Sequence, residues 1–433
     1  MSSGAKPETT SSAGAFSPFS HTAFTLLWTA TLISNTGTWM HEVGAGWLMT
    51  TLDSSPAVVS LVQAATSLPV FLFALLAGAL ADRLDKRRML LVVNTILTVI
   101  VTLLAVLVWQ EAMTPLLLIL FTLAIGTGAA FMAPAWQAIV PLLVPKAKLK
   151  PAIALNSMGI NISRAIGPAL AGVLIANVGL AAPFALNALS FVIILGALLL
   201  WRPEPSPPRH HHSSLLADMG MGLRHVRHNP AMLATAIRAI AFFLFASAYW
   251  SLLPLIARSA EGGGSELYGT LMALIGTGAV TGALILPRLQ KHLDSDMSVR
   301  VGTLGTAIAL LTMVVAQFPA GLMFAAFLGG CSWIVTLTAF NVSAQTALPN
   351  WIRARGLAVF LMVFFGSMSL GSIIWGQVAT HSSVRAALIT AAVGLGVGFL
   401  LTRKFTIGQG EKLDHTPTAI WPEAPALDAA HNG

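Results

Sequence analysis

Apolar residues along this chain fall in long unbroken runs, separated by short breaks that are charged or rich in Pro and Gly. The runs cover 22–50, 57–81, 89–109, 114–140, 152–178 and 182–201, then 231–257, 267–287, 299–317, 319–347, 356–380 and 384–402. Crossing the hydrocarbon layer of a bilayer takes about 20 helical residues, so each run is long enough to span. Backbone groups in lipid must be paired internally, and the alternation of a closed barrel is absent, so the runs read as helices. Runs longer than the layer is thick read as tilted spans. The pattern predicts an all-α polytopic membrane protein of twelve spans, arranged as two six-helix bundles.

The longest polar break, 203–229, falls between the sixth and seventh spans and holds Pro203, Pro205, Pro207, Pro208 and the run His210-His211-His212. It reads as a central cytoplasmic linker between an N-terminal bundle, 21–202, and a C-terminal bundle, 230–403. A histidine run on a linker is ordinarily solvated, and no metal site is expected. Residues 1–20 lack the basic-then-apolar pattern of a cleaved signal and read as a flexible cytoplasmic N-terminus; 404–433 read as a cytoplasmic tail. Local matches relate the halves. Gly78 corresponds to Gly282, the pair Gly167 and Gly172 to Gly371 and Gly376, and Gln137 to Gln345, at offsets of 204 to 208. Parallel halves of this kind allow alternating access to a site near the midplane.

Composition removes any soluble reading. Hydrophobic residues make up 56% of the 433 residues and charged residues only 9%, against roughly 25% charged in a soluble domain. The net charge of +8 would suit a polyanionic partner if it were clustered, but it is distributed by side of the membrane. Of 24 basic residues, 20 fall in the N-terminal segment, the tail and the breaks after spans 2, 4, 6, 8 and 10. Arg258 and Arg385 lie on the other side, and Arg164 and Arg238 lie inside spans. The positive-inside rule then places both termini in the cytoplasm of a cell whose inner membrane holds the protein, with no nucleic-acid partner. The single cysteine, Cys331, excludes an intramolecular disulfide.

After the second span the chain reads Gly78-Ala79-Leu80-Ala81-Asp82-Arg83-Leu84-Asp85-Lys86-Arg87-Arg88. This resembles the loop signature of the major facilitator superfamily, with Asp85 where Gly is usual. The resemblance implies that Gly78 lets its helix approach a neighbour, and that Asp82, Arg83 and Arg87 form a charge cluster closing the cytoplasmic gate. In the fifth span, Ser163-Arg164-Ala165-Ile166-Gly167-Pro168-Ala169-Leu170-Ala171-Gly172 resembles the Pro/Gly element of the antiporter branches, with Ser163 and Ala171 at two Gly positions. It implies a bend at Pro168 and close packing at Gly167 and Gly172. With Thr38-Trp39-Met40, Ser67-Leu68-Pro69 and Ala154-Leu155-Asn156, the chain resembles the enterobactin-exporter-like branch, which holds siderophore and drug exporters.

Of the 16 acidic residues, only Glu42 lies well inside a span. At about 1.5 Å per residue it sits roughly 16 Å from the periplasmic end, and Arg164 roughly 22 Å. Asn35, Trp39, Glu42 and Gly46 recur at helical spacing on one face. A carboxyl group there is costly to ionise unless it meets a wet cavity or a partner, which suits a proton carrier. Glu42 and Arg164 form the candidate proton-coupling pair; alternatively Glu42 is a structural carboxyl and Arg164 a lock on backbone carbonyls. In the fold implied by the resemblance, spans 1, 4, 7 and 10 line the cavity, and each carries a Trp: Trp39, Trp136, Trp250 and Trp333. With Asn35, Arg238, Asn341 and Gln345 they form the candidate substrate cavity, suited to an aromatic or amphipathic molecule.

The reading is a secondary transporter, with no catalytic residues, no cofactor and no enzyme activity: one intramembrane acid cannot supply paired acid–base chemistry. No nucleotide-binding loop occurs, so a gradient must supply the energy. Proton-coupled export of an amphipathic small molecule, such as a siderophore or drug, is the leading expectation. The partners are that substrate, protons and the lipid bilayer, and the chain is expected to be a monomer. A uniporter or importer of an uncharged solute, or a non-transporting receptor on the same fold, remain alternatives.

Overall fold

A computed structural model describes residues 14–202, 215–289, 293–316, 318–349 and 352–407. The sequence expectations for the first residues, for His210, His211 and His212 and for the tail beyond 407 concern residues outside these. Thirteen α-helices follow one another in the described chain. The first six are α1 (Thr22–Leu52), α2 (Pro56–Arg83), α3 (Lys86–Trp109), α4 (Pro115–Ile139), α5 (Leu149–Asn177) and α6 (Ala181–Leu200). A short helix, α7 (Leu215–His228), precedes α8 (Pro230–Ser259), α9 (Ser265–Leu289), α10 (Ser295–Val315), α11 (Pro319–Thr346), α12 (Arg353–His381) and α13 (Val384–Thr402).

The helix starts follow local chemistry. Pro56, Pro115, Pro230 and Pro319 open helices, where a missing N–H costs nothing and φ is already helical. Asp85 caps α3 by accepting from the Arg88 amide at 2.7 Å, which accounts for an acid where the family signature has Gly. Asn229, fully buried, accepts from the Met232 amide at 3.0 Å and donates to the Ala347 carbonyl at 2.7 Å, so one side chain caps α8 and ties it to α11. Gly179, with φ of 116°, turns the chain between α5 and α6 in a conformation that a side chain would resist.

Eleven of these helices are long and apolar enough to cross a membrane. The chain is therefore a multi-pass membrane protein. The expected first span, α1, is the exception on composition, because Asn35, His41 and Glu42 interrupt its apolar residues. Its 31 residues measure about 46 Å, and it packs against α5 and α6 as one of twelve long helices. The segment read as a plain linker contains α7. Its Met221 sulfur accepts from Arg355 of α12 at 3.3 Å, and His225 and Val226 are buried, so this part of the linker docks as a helix.

Helices α1–α6 and α8–α13 form two halves with corresponding contacts. Gly167 packs α5 on α1, at Trp39 and the Thr36 carbonyl, and Gly371 packs α12 on α8, at Leu244 and Ser247. Gly172 meets α9 of the other half, at Ser265 and Gly269, and Gly376 meets α2, at Ser60 and Pro56. Both glycine pairs of α5 and α12, offset by 204 in the sequence, thus reproduce one kind of helix contact each. Gly282 instead packs on Cys331 and Ile334 of α11, and Gly78 has no such neighbour. Seams of small residues let backbones approach where lipid supplies no hydrophobic force between helices.

Candidate transport site

The described ends of the first and last helices share one end of the bundle, here called the near end. The halves meet at the far end and at mid-depth. At the far end the Arg258 guanidinium donates to the Thr50 carbonyl and, at 3.1 Å, to its hydroxyl. The Ala57 amide donates to the Thr380 hydroxyl at 2.9 Å, and the Trp47 and Tyr268 rings stack at 6.1 Å. Deeper, Ser369 of α12 donates to the Ala64 carbonyl at 3.3 Å, and Gly276 of α9 lies on the Arg164 backbone. By contrast, α4 packs on α2 and α3, and α11 on α9 and α10, each within its own half. Gln137 and Gln345, at the near ends of these two helices, are exposed. Among the described residues the bonds between the halves thus gather at the far end and at mid-depth, and the pattern reads as a cleft closed at the far end and open toward the near end.

At the base of the cleft the sequence-predicted pair comes together. Asn35, Trp39 and Glu42 are half-buried on one face of α1. A Cβ on Gly167 would lie 2.6 Å from the Trp39 Cβ and 2.9 Å from the Thr36 carbonyl, so the glycine is what admits α5 to this distance. Ser163, at a position where the family element has Gly, donates to the Leu32 carbonyl at 3.0 Å and accepts from the Thr36 hydroxyl at 3.1 Å. This seam carries the Arg164 guanidinium over the Trp39 ring, 5.2 Å from its centroid, where the indole face offers the cation some of what water would. Glu42 and Arg164 act on each other electrostatically, yet they form no ion pair. The ion pairs of Arg238 and Arg300 with Asp296 lie elsewhere. The Arg164 Nε is buried without a partner. An acid and a base adjoin here without being locked together.

The other wall is aromatic. Trp250 of α8 and Trp333 of α11 pack edge to face at 5.3 Å, and Trp333 also meets Phe243 at 5.4 Å and Phe364 at 6.1 Å. The Trp250 Nε1 is buried with no hydrogen-bond partner. Asn341 is half-buried two turns beyond Trp333. Trp136 instead donates to Asn156 at 3.3 Å, tying α4 to α5 within the first half.

Two expectations need correction. Arg238 does not line the cleft: its guanidinium is buried in an ion pair with Asp296 of α10 and lies 5.6 Å from the Phe399 ring of α13. The Ile407 amide also donates to Asp296, at 3.1 Å, so this cluster fastens the near end of the second half. An arginine eight residues into a helix found a half-buried acid on its outer side, which spacing along α8 alone does not reveal. Arg87 does not join a cluster between the halves; it donates to the Leu198 and Leu199 carbonyls, both at 3.0 Å, at the C-terminal end of α6. Gly78 has nothing near its missing Cβ, because the near end, where the motif lies, is the open one. Arg83 is half-buried at the end of α2, and the Asp82 side chain lies outside the described atoms. Among the described residues no His, Cys, Asp and Glu cluster is arranged to hold a metal.

Sequence reasoning missed Tyr268. It is buried on α9, and its hydroxyl oxygen lies 2.7 Å from where a Gly46 Cβ would stand. Gly46 lies one turn beyond Glu42 on the same helix face. The available signal was the scarcity of the residue: the chain has two tyrosines.

The model of the family described as transmembrane secretion effector matches residues 13–432. This chain belongs to that family of major facilitator transporters. Among relatives of this secretion-effector chain, a staphyloferrin A transporter of Staphylococcus aureus is 25% identical over 86% of the chain and 94% of the relative. The enterobactin exporter EntS of Salmonella typhimurium is 25% identical over 92% of the chain and 95% of the relative. A multidrug efflux pump, Tap, of Mycobacterium bovis is 24% identical over 86% and 90%. Solved structures share the fold. A POT family transporter in complex with 5-aminolevulinic acid superposes with a TM-score of 0.72 at 12% identity, over 91% of this chain and 98% of that one. A bacterial homologue of the lysosomal transporter Spinster, inward-facing and unoccupied, gives 0.68 at 14%, over 88% and 97%. The family consists of transporters rather than enzymes.

Proposed function

We propose that this transporter exports an amphipathic small molecule in exchange for protons, by alternating access, acting as a monomer in the inner membrane with both termini in the cytoplasm. The observation that carries the proposal is Glu42: the one carboxyl well inside a span, half-buried at the base of the cleft, beside Arg164 but not paired with it. A proton carrier has to be reachable from one side at a time and must not be fixed in one charge state by a permanent partner. The weight of Lys and Arg on the near end supports cytoplasmic termini, and the cleft then opens inward. The aromatic wall of Trp250 and Trp333 suits a stacked or apolar body, and Asn35, Asn341 and Gln345 supply hydrogen bonds. In the opposite state, the Gly78, Asp82 and Arg83 motif closes the near end, while the Gly172 and Gly376 contacts part. The names of the relatives favour siderophores or drugs as cargo.

Everted vesicles with an acidified interior provide the test. Staphyloferrin A, enterobactin and the dye ethidium, added outside, are screened for triggered loss of the interior proton gradient. One of them is expected to release protons in the wild type and to fail in Glu42→Gln. Release that survives the substitution removes Glu42 from coupling, and transport without proton movement refutes antiport.

A further inference from the structure

Tyr268 faces Glu42 from the opposite half, and its placement is more specific than packing requires. Its ring is held by stacking on Trp47 and fills the space that Gly46 leaves empty, with its Cζ 3.4 Å from the absent Cβ. Its hydroxyl donates to no group among the described residues, and the ring below it is buried. A phenol whose ring is buried and whose hydroxyl is uncommitted is available as a donor to a neighbouring acid. Residues i and i+4 on a helix stand about 6 Å apart, so a rotamer change of Glu42 suffices to bring its carboxylate to this hydroxyl. The neighbour of Tyr268 on α9, Gly269, touches Gly172. The phenol therefore reaches Glu42 only while the far end is closed.

We propose that the Tyr268 hydroxyl is the cross-half donor that holds the far end closed after Glu42 has given up its proton. The inference rests on the antiport reading above and assigns a positioning residue to it. An inward-open exchanger must survive the interval between proton release and substrate arrival, when the base of the cleft holds an ionised carboxylate. Arg164 supplies charge from α5 within the same half, but it cannot link the halves. Tyr268 is the donor that can. Other groups around Glu42 are engaged or distant. Arg258 of α8 is bonded at Thr50, and His41 turns its ring to Phe184 of α6 at 5.0 Å. Helices α4 and α6 carry no titratable side chain, and α2 carries Asp82 and Arg83 only at its near end.

The test uses the full chain in lipid nanodiscs, in a Cys331→Ser background, with spin labels at Gln110→Cys and Glu261→Cys in the two far-end loops. Double electron–electron resonance gives the closed population at pH 5.5 and pH 8. Tyr268→Phe keeps the ring and removes only the donor. Its ratio of closed to open is expected to match the wild type at pH 5.5 and to fall about tenfold at pH 8, the scale of one hydrogen bond to a charged group. An equal fall at both pH values, or none at either, overturns the proposal. Glu42→Gln separates the two readings. If it abolishes the pH contrast of the wild type while Tyr268→Phe changes nothing, Glu42 stands and Tyr268 falls. If the contrast survives in Glu42→Gln, or the wild type shows none, both fall.

Discussion

Gly269→Ala perturbs the far-end contact where backbone meets backbone most closely. The added Cβ would lie 2.6 Å from the Pro168 carbonyl oxygen, 2.8 Å from the Gly172 Cα and 2.9 Å from the Gly172 nitrogen. All three are backbone atoms of a helix in the other half, so no rotamer change relieves the clash. Ordinary contact needs about 3.5 Å, and α5 and α9 must separate by roughly 1 Å to restore it. Overpacking of this size costs about 1–3 kcal/mol. The cost falls on the far-end-closed state alone, because the contact exists only there. At tenfold per 1.4 kcal/mol, the equilibrium is expected to move about 5- to 150-fold toward the far-end-open state. The same pair of spin labels reads this directly, as growth of the longer distance between the far-end loops. Gly196→Ala is the control: nothing lies within 4 Å of its missing Cβ, and its distance distribution is expected to match the wild type. A Gly269→Ala distribution indistinguishable from that control refutes the argument that this glycine contact sets the closed state.

Two further outcomes follow from the second half. Asp296→Ala leaves the Arg238 guanidinium buried without its partner, and by thermal unfolding in detergent the variant is expected to lose about 3–5 kcal/mol; Arg238→Met with Asp296→Leu is expected to recover most of it. Trp333→Ala opens the aromatic wall and is expected to weaken binding of a transported aromatic substrate about tenfold by fluorescence titration, with the proton response of Glu42 preserved at saturating substrate.

Much of the molecule was legible along the chain because the bilayer is an unforgiving solvent. Runs of about 20 apolar residues must be helices there, so the chain reads as twelve spans, eleven of which are described helices long and apolar enough to cross, and the basic residues sort the breaks between them. The lone intramembrane carboxyl, Glu42, and the glycines of α5 stood out because charge and small size are both costly without a purpose. Tertiary structure decided what each of these touches. Spacing along a helix gives the face of a residue relative to its own axis but not which neighbour that face meets. Arg238 and Arg87 were therefore assigned to the cleft and the gate, while the fold gave them to Asp296 and the end of α6. Tyr268 was invisible for the same reason, since its meaning lies in Gly46, 222 positions away in sequence. The sequence alone determined that this is a membrane transporter with one acid well inside its spans. The packing of two halves, where glycines let backbones touch, decided which end of the cleft is closed and which side chains face that acid.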